Sequence, residues 1–427
     1  MERYSEYKDS GVQWLGEIPG HWERTKVSRL FKQIGSGTTP SSGDASLYAD
    51  KGTPWLQSGD FNNNEINSTS KFITDKALDN YCLKLYKPGS IVIAMYGASI
   101  GKVGLLNIAT TVNQACCVLS DSDHLLQKYA FYVFVNEKEN LIKKSKGGTQ
   151  PNISQEIIKS HYIPLPPLSE QHSIVSYLDD KCAKIDKMLE GKQKQIELLA
   201  EMKQRIIADA VTRGLNPDVK MKATNIPWLP EIPEHWEEQR MATLFTGDIE
   251  VNKDFEYKRA FKFNYGQLVP KNEIGEPEDY REVYVKYSKI KQGDILVNGL
   301  NLNYDFISQR VACAPSDGII TSAYVVCRPR KDVNYEYYTY LFKGMDSMKL
   351  FHGMGTGIRL TLSFKEMKKQ ILPIPPHSEQ HDIVSYIKDR SAKIDILTSK
   401  LQQEIESIKE YKQRLISDVV TGQIKVC

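Results

Sequence analysis

The chain has 427 residues, 56 Lys plus Arg against 53 Asp plus Glu, a net charge of +3 and a hydrophobic fraction of 41%. That length predicts two or three domains with sizeable cores. The charge balance excludes a strongly basic nucleic-acid coat or an acidic tail, while leaving room for local basic patches.

The first residues, Met1-Glu2-Arg3-Tyr4-Ser5-Glu6, are polar and carry no signal-peptide core. No apolar run reaches the length of a membrane helix. Seven cysteines without paired spacing do not read as a disulfide framework, so the expected compartment is the cytoplasm.

Residues 14–22 form a head motif, Trp-Leu-Gly-Glu-Ile-Pro-Gly-His-Trp, that returns at 228–236 with seven of nine positions identical. Residues 165–188 return at 374–397, and residues 201–212 at 410–421, both at an offset of 209. The chain is therefore one unit written twice. Each copy has a similar head, a divergent middle (about 32–160 and 246–369) and a similar tail. The heads read as packing anchors.

In the first middle, residues 90–95 and 115–119 read as buried strands, with Pro88-Gly89 as a turn. Lys128 to Lys144 reads as a helix. Between them lies Gly97-Ala98-Ser99-Ile100-Gly101-Lys102-Val103. It is not a phosphate loop, because three residues instead of four separate the glycines and Val103 stands where a magnesium-binding Ser or Thr is needed. A Gly-rich polar loop closes the middle, carrying Lys143, Lys144 and Lys146 beside Gln150 and Asn152.

The first tail opens at Pro164, Pro166 and Pro167, with Ser169 as the expected N-cap and Glu170 in the first turn. Its apolar seam steps by three and four through Val175, Leu178, Cys182, Ile185, Leu189, Lys192, Ile196, Leu199, Lys203, Ile206 and Ala210. This spacing predicts a coiled-coil helix of about 44 residues, roughly 66 Å long at 1.5 Å per residue.

The second middle has strands at 294–297 and 323–327 and a helix from Tyr335 to Leu350. Lys258, Arg259 and Lys262 lie among aromatics, followed by Asn301, Asn303, Arg310 and Arg359. The second tail repeats the first from Pro373, with Ser378, Glu379 and a seam through Val384, Ile387, Ser391, Ile394, Thr398, Leu401, Ile405, Ile408, Lys412, Leu415 and Val419. The second helix leaves the second middle, so it must run back to pair with the first. The expected fold is two α/β (α+β) domains joined by two long helices in an antiparallel coiled coil, pseudo-twofold and circular. The expected boundaries are 1–163, 164–214, 215–372 and 373–427.

No catalytic constellation stands out. His377 and His381 bracket Glu379 at a helix start, but the first copy has Leu168 in place of the earlier histidine, so a capped helix start is the better reading. Glu201-Met202-Lys203 lies in the heptad helix and is no nuclease motif. Recognition remains: Lys and Arg neutralise phosphates, while Asn, Gln and Arg read base edges. Two unlike recognition domains on a pseudo-twofold frame match two unlike half-sites on a duplex.

The chain resembles the specificity subunit of type I restriction-modification systems. The resemblance rests on residues 164–175 and 373–384, on 97–102 with Val112-Asn113-Gln114-Ala115, and on 148–154. It implies a non-catalytic target-recognition protein of bacteria or archaea. It would read a bipartite, asymmetric double-stranded DNA site and recruit two adenine-N6 modification subunits and the restriction subunits. S-adenosylmethionine, ATP and magnesium would be bound by those partners and not by this chain. It also places Gly97, Ser99, Lys102 and Asn113 among the expected DNA contacts, with no membrane involved. In the second middle Asn298-Gly299-Leu300-Asn301 replaces the Gly-Ala-Ser-Ile-Gly loop, so loop contacts do not carry across. A stand-alone, two-headed DNA-binding regulator and a non-DNA coiled-coil scaffold remain the rival readings.

Overall fold

The computed structural model describes residues 2–145, 151–306, 309–357 and 360–426. The chain divides into two compact units, Met1–Gly191 with Gln403–Cys427, and Lys192–Gln402. Each unit contains a head, a middle and part of each long helix.

The long helices span Leu168–Arg213 and His377–Val420, 46 and 44 residues. All 22 expected seam positions are buried or half-buried, while most positions between them are exposed. Lysines occur in this seam because their stems can lie along it while the ammonium reaches a carboxylate. Lys412 Nζ is 2.5 Å from Asp186 Oδ1, and in the other unit Lys203 Nζ is 2.7 Å from Asp395 Oδ1. In the first unit the Tyr129 hydroxyl lies 3.2 Å from Pro164 O and 3.3 Å from Val420 O. Residue numbers thus rise on one helix as they fall on its neighbour, and the pairing within the unit is antiparallel.

Both helices begin two residues earlier than expected, at Leu168 and His377. The backbone N–H groups of Gln171 and Gln380 donate to the Pro167 and Pro376 carbonyls at 3.0 Å, which places Ser169 and Ser378 inside the first turn and not at the N-cap. Just before each helix, the proline-rich strands Tyr162–Leu165 and Ile371–Ile374 pair antiparallel with the head strands Glu23–Lys26 and Glu237–Arg240.

The two repeated motifs are the two sides of one clamp. Glu170 accepts hydrogen bonds from the indole of Trp22 (2.9 Å) and the hydroxyl of Tyr4 (2.8 Å), and pairs with His21 at 2.6 Å. Glu379 accepts from Trp236 at 3.0 Å and pairs with His235 at 2.7 Å. Both tryptophans are fully buried, as packing anchors should be. Burial alone would raise the Glu170 carboxyl, but the bonds from Trp22, His21 and Tyr4 together hold it below its ordinary value.

The middles share little sequence but one sheet order. In the first, Gln33–Ser36, Cys116–Ser120, Ile91–Ala94 and Val103–Leu106 lie side by side and antiparallel, with Asn64–Ile66 added in parallel at the edge. In the second, Phe245–Thr246, Val325–Pro329, Ile295–Val297 and Val311–Cys313 take the same four places, also antiparallel. A helix packs on each sheet, Gln127–Lys143 in the first and Tyr335–Ser347 in the second. The central strands are buried on both faces, which explains their near-continuous apolar content.

In the first unit the segment after the second long helix returns to the first head. Tyr7 donates its hydroxyl to Gly422 O at 2.9 Å, and Lys425 N donates to Glu2 O at 2.9 Å. No described helix is long and apolar enough to cross a membrane.

Candidate nucleic-acid interface

In the first middle, residues 95–102 form the connection between the antiparallel strands Ile91–Ala94 and Val103–Leu106. Gly101 N donates to Ala94 O (2.8 Å), Lys102 N to Ser99 O (3.0 Å) and Ile100 N to Gly97 O (3.1 Å). Gly97 and Gly101 adopt φ of +81° and +74°, a region that favours glycine. A strand follows the turn where a phosphate loop would require a helix, so the geometry of a nucleotide site is absent here.

Neighbouring segments converge on this turn. Met95 N donates to Ala115 O, and Ile153 N donates to Met95 O, both at 2.8 Å. The Asn113 turn and exposed Asn152 are thereby brought beside Gly97, Ser99 and Lys102. Asn113 uses its side-chain oxygen to accept from Ala115 N at 3.2 Å, which fixes the turn.

The lysine cluster of the sequence divides. Lys143 is exposed in the last turn of its helix, and Lys144 caps that helix. Lys144 Nζ donates to His161 Nδ1 at 3.3 Å, and His161 Nε2 meets Glu137 Oε2 at 3.1 Å, with His161 and Glu137 side chains fully buried. Trp14 stacks on His161 with 5.3 Å between ring centroids. Burial pushes the Glu137 carboxyl up, and His161 opposes the shift. Lys144 is thus tied to a buried pair. Lys146 and Gln150 lie outside the described residues, as does Arg359 in the second middle.

The second middle departs most at Arg310. Expected as a DNA contact, it is fully buried. Its Nη1 donates to Asn298 O (2.9 Å) and Leu300 O (2.8 Å), its Nη2 to Asp305 O (2.6 Å), and its backbone N to Asp346 Oδ2 (2.8 Å). With the guanidinium enclosed by carbonyl oxygens, Arg310 shapes the loop and does not face a ligand. Asn301 is exposed on that loop in a left-handed conformation, φ +52°.

Lys258, Arg259 and Lys262 are exposed on a different part of the second middle. Lys258 pairs with Glu278 and lies over Phe255, while Arg259 donates to Ser316 Oγ (3.2 Å) and lies over Phe261. Lys262 sits in the hairpin Phe261–Asn264 with Gln267–Pro270. The turn of that hairpin abuts Gln309, next to Arg310.

Sequence reasoning passed over the exposed aromatics Tyr265, Tyr304 and Phe306. The signal of Tyr304 and Phe306 emerges only once strands are matched: the connection equivalent to residues 95–102 runs from 298 to 310, five residues longer. Among the described residues no cluster of three or more His, Cys, Asp or Glu is placed to hold a metal ion.

The model of the type I restriction modification DNA specificity domain matches residues 19–198 and 261–407. The type I restriction enzyme MjaVIII specificity subunit of Methanocaldococcus jannaschii is 24% identical, over 100% of this chain and 98% of that protein. The EcoR124I/EcoR124II specificity subunit of Escherichia coli is 26% identical over 46% of this chain and 49% of its own. A solved chain from work on complex assembly and conformational transition of the type I R-M system superposes with a TM-score of 0.68 and 14% identity, covering 95% of this chain and 99% of that one, which supports the fold. The chain belongs to the type I restriction-modification DNA specificity family, and it is a specificity subunit rather than an enzyme.

Proposed function

We propose that the chain reads a bipartite, asymmetric DNA target, one half-site per middle, and recruits two adenine-N6 methyltransferase subunits and the restriction subunits to it. S-adenosylmethionine, ATP and magnesium are bound by those partners, and the assembly works in the cytoplasm. The reading domains are 1–163 and 215–372, with 164–214 and 373–427 as the spacer helices. In the first reader the contacts are Gly97, Ser99, Lys102, Asn113, Lys143 and Asn152, with Lys146 and Gln150. In the second they are Lys258, Arg259, Lys262 and Asn301, with Arg359.

The observation that carries this reading is a shared sheet order and a shared clamp bearing unlike connecting loops. Related frames with identical loops would demand identical half-sites, and unlike loops demand unlike ones. Mapping methylated adenines in cells that express the chain with its methyltransferase tests it. The expected motif has two different halves around a spacer, and a palindromic motif overturns the asymmetry. Failure to co-purify with a methyltransferase favours a stand-alone regulator. Absence of salt-dependent duplex binding favours a scaffold.

A further inference from the structure

Residues 298–305 of this longer connection are tied down by hydrogen bonds. Arg310 gathers three of their carbonyl oxygens from beneath. His352 Nε2 donates to Asp305 O at 3.0 Å, Leu362 N to Gly299 O at 2.9 Å and Tyr304 N to Asn301 O at 3.2 Å. On this scaffold two aromatic rings face outward. Tyr304 is 81% exposed, and Phe306, 54% exposed, stacks on His352 with centroids 4.6 Å apart and planes 14° apart. No aromatic residue of the first reader reaches such exposure among the described residues.

Large exposed rings on a fixed loop gain nothing in water, but they lose little conformational freedom when a partner covers them. In a DNA specificity protein, the surface that accepts flat apolar rings is the face of a base. Every base offers a π-face, and aromatic side chains placed against a base step unstack it.

We propose that Tyr304 and Phe306 form a stacking wedge that enters the duplex at the half-site read by the second domain. It prefers a pyrimidine–purine step, which unstacks most readily. Arg310 is the positioning residue that holds the wedge. The proposal rests on the DNA-reading function. It adds that the second half-site is read partly through base-step deformability, whereas the matching connection of the first domain holds a single aromatic, the half-buried Tyr96.

The test uses the full chain and a duplex selected by the wild type from a randomised library. Tyr304→Ala and Phe306→Ala are compared with Tyr304→Phe and Phe306→Tyr across a salt series. Each alanine variant should bind about ten-fold more weakly, in line with loss of one base–aromatic stack. The slope of log affinity against log salt should stay unchanged, because no phosphate contact is lost. Substitutions in one half of the target should become tolerated, those in the other half should not, and the aromatic replacements should retain wild-type behaviour. Unchanged affinity in both alanine variants overturns the wedge. So does a flatter salt slope, which would mean backbone contact, or relaxation in both halves alike. A wild-type chain that binds no duplex in a salt-dependent way overturns the DNA reading itself, and the wedge with it.

Discussion

The two readers place the same four strands in the same order, yet their interiors are built from different chemistry. Tyr129 of the first and Tyr337 of the second occupy matching sites, each directing its hydroxyl to a carbonyl of a long helix, Val420 and Val211. Counting from them, the buried Glu137 of the first corresponds to the buried Met345 of the second. Conversely, the first reader has a short glycine turn where the second has a longer loop around a buried arginine. The contrast extends to how each reader helix docks on its long helix. Lys128 pairs with Asp179 at 3.0 Å in the first unit, and Glu336 pairs with Lys388 at 2.5 Å in the second. The signs are reversed at equivalent positions. A duplicated frame thus retains its geometry through clamps and sheet order, while any buried polar group can be replaced if its partner changes with it.

The largest expected effect separates the readers at this interior. His161→Leu takes the Nε2–H donor from the buried Glu137 carboxyl and leaves it to Asn136 and Asn140 alone, which costs about 3–5 kcal/mol, whereas the double change Glu137→Met with His161→Leu costs less, because a well-packed apolar pair can replace a buried polar pair. Urea denaturation of the full chain measures both. A single variant as stable as the wild type would show that the buried pair does not differentiate the readers.

Arg310→Met probes the second reader in the same way. It orphans the carbonyls of Asn298, Leu300 and Asp305, and about 3 kcal/mol of stability should be lost, given 1–3 kcal/mol for a buried polar group left unpaired. Limited proteolysis should cut first within residues 298–310. Protection equal to that of the wild type would mean the loop does not depend on the arginine.

The clamps test what the units share. Glu170→Ala and Glu379→Ala should each cost about 2 kcal/mol, since each leaves a buried indole N–H without an acceptor. The Glu170 carboxyl is held below its ordinary value of 4.5 in the folded chain, so its ionised form stabilises above pH 4.5. That part is lost as the pH falls through the lower folded value. The wild-type advantage over Glu170→Ala should therefore be full at neutral pH and shrink in acid. A difference that grows on acidification would contradict the clamp.

The smallest effect concerns the reversed ion pairs. Lys128→Glu should destabilise by about 0.5–1 kcal/mol, and adding Asp179→Lys should restore only part of it, because Glu65, 2.7 Å from the native Lys128 Nζ, stays in place. A double-mutant cycle gives the coupling directly. Zero coupling would mean that charge does not match a reader to its helix.

Much of this architecture is legible in the sequence because it is written in periodicity. The seam from Val175 to Ala210 and its copy fix two helices, and the repeated Trp and Glu motifs mark frame positions, although only the fold reveals that Glu170 and Trp22 meet. Strands such as 91–94 follow from β-branched runs. The shared sheet order does not, because burial on both faces leaves composition alone, and many residues satisfy it. Site residues are harder still. Arg310 in an asparagine-rich loop has the sequence appearance of a phosphate contact, and only the three-dimensional path of 298–305 encloses it. Lys144 likewise looks equivalent to Lys143 until His161 is found 3.3 Å away.

The return of the last segment to the first head has a topological consequence. Gly214, at φ +74°, ends the first long helix against Trp236 of the following head. Gly422, at φ +76°, ends the second against Trp22 of a head that precedes it by four hundred residues. The two junctions are the same contact, one made between neighbouring segments of chain and the other between segments four hundred residues apart. A chain that begins at the second head and fuses residue 427 to residue 1 through a short linker has the same contacts available. The order of the two halves along a gene can therefore be exchanged while each unit keeps the contacts between its head and the helix that ends on it.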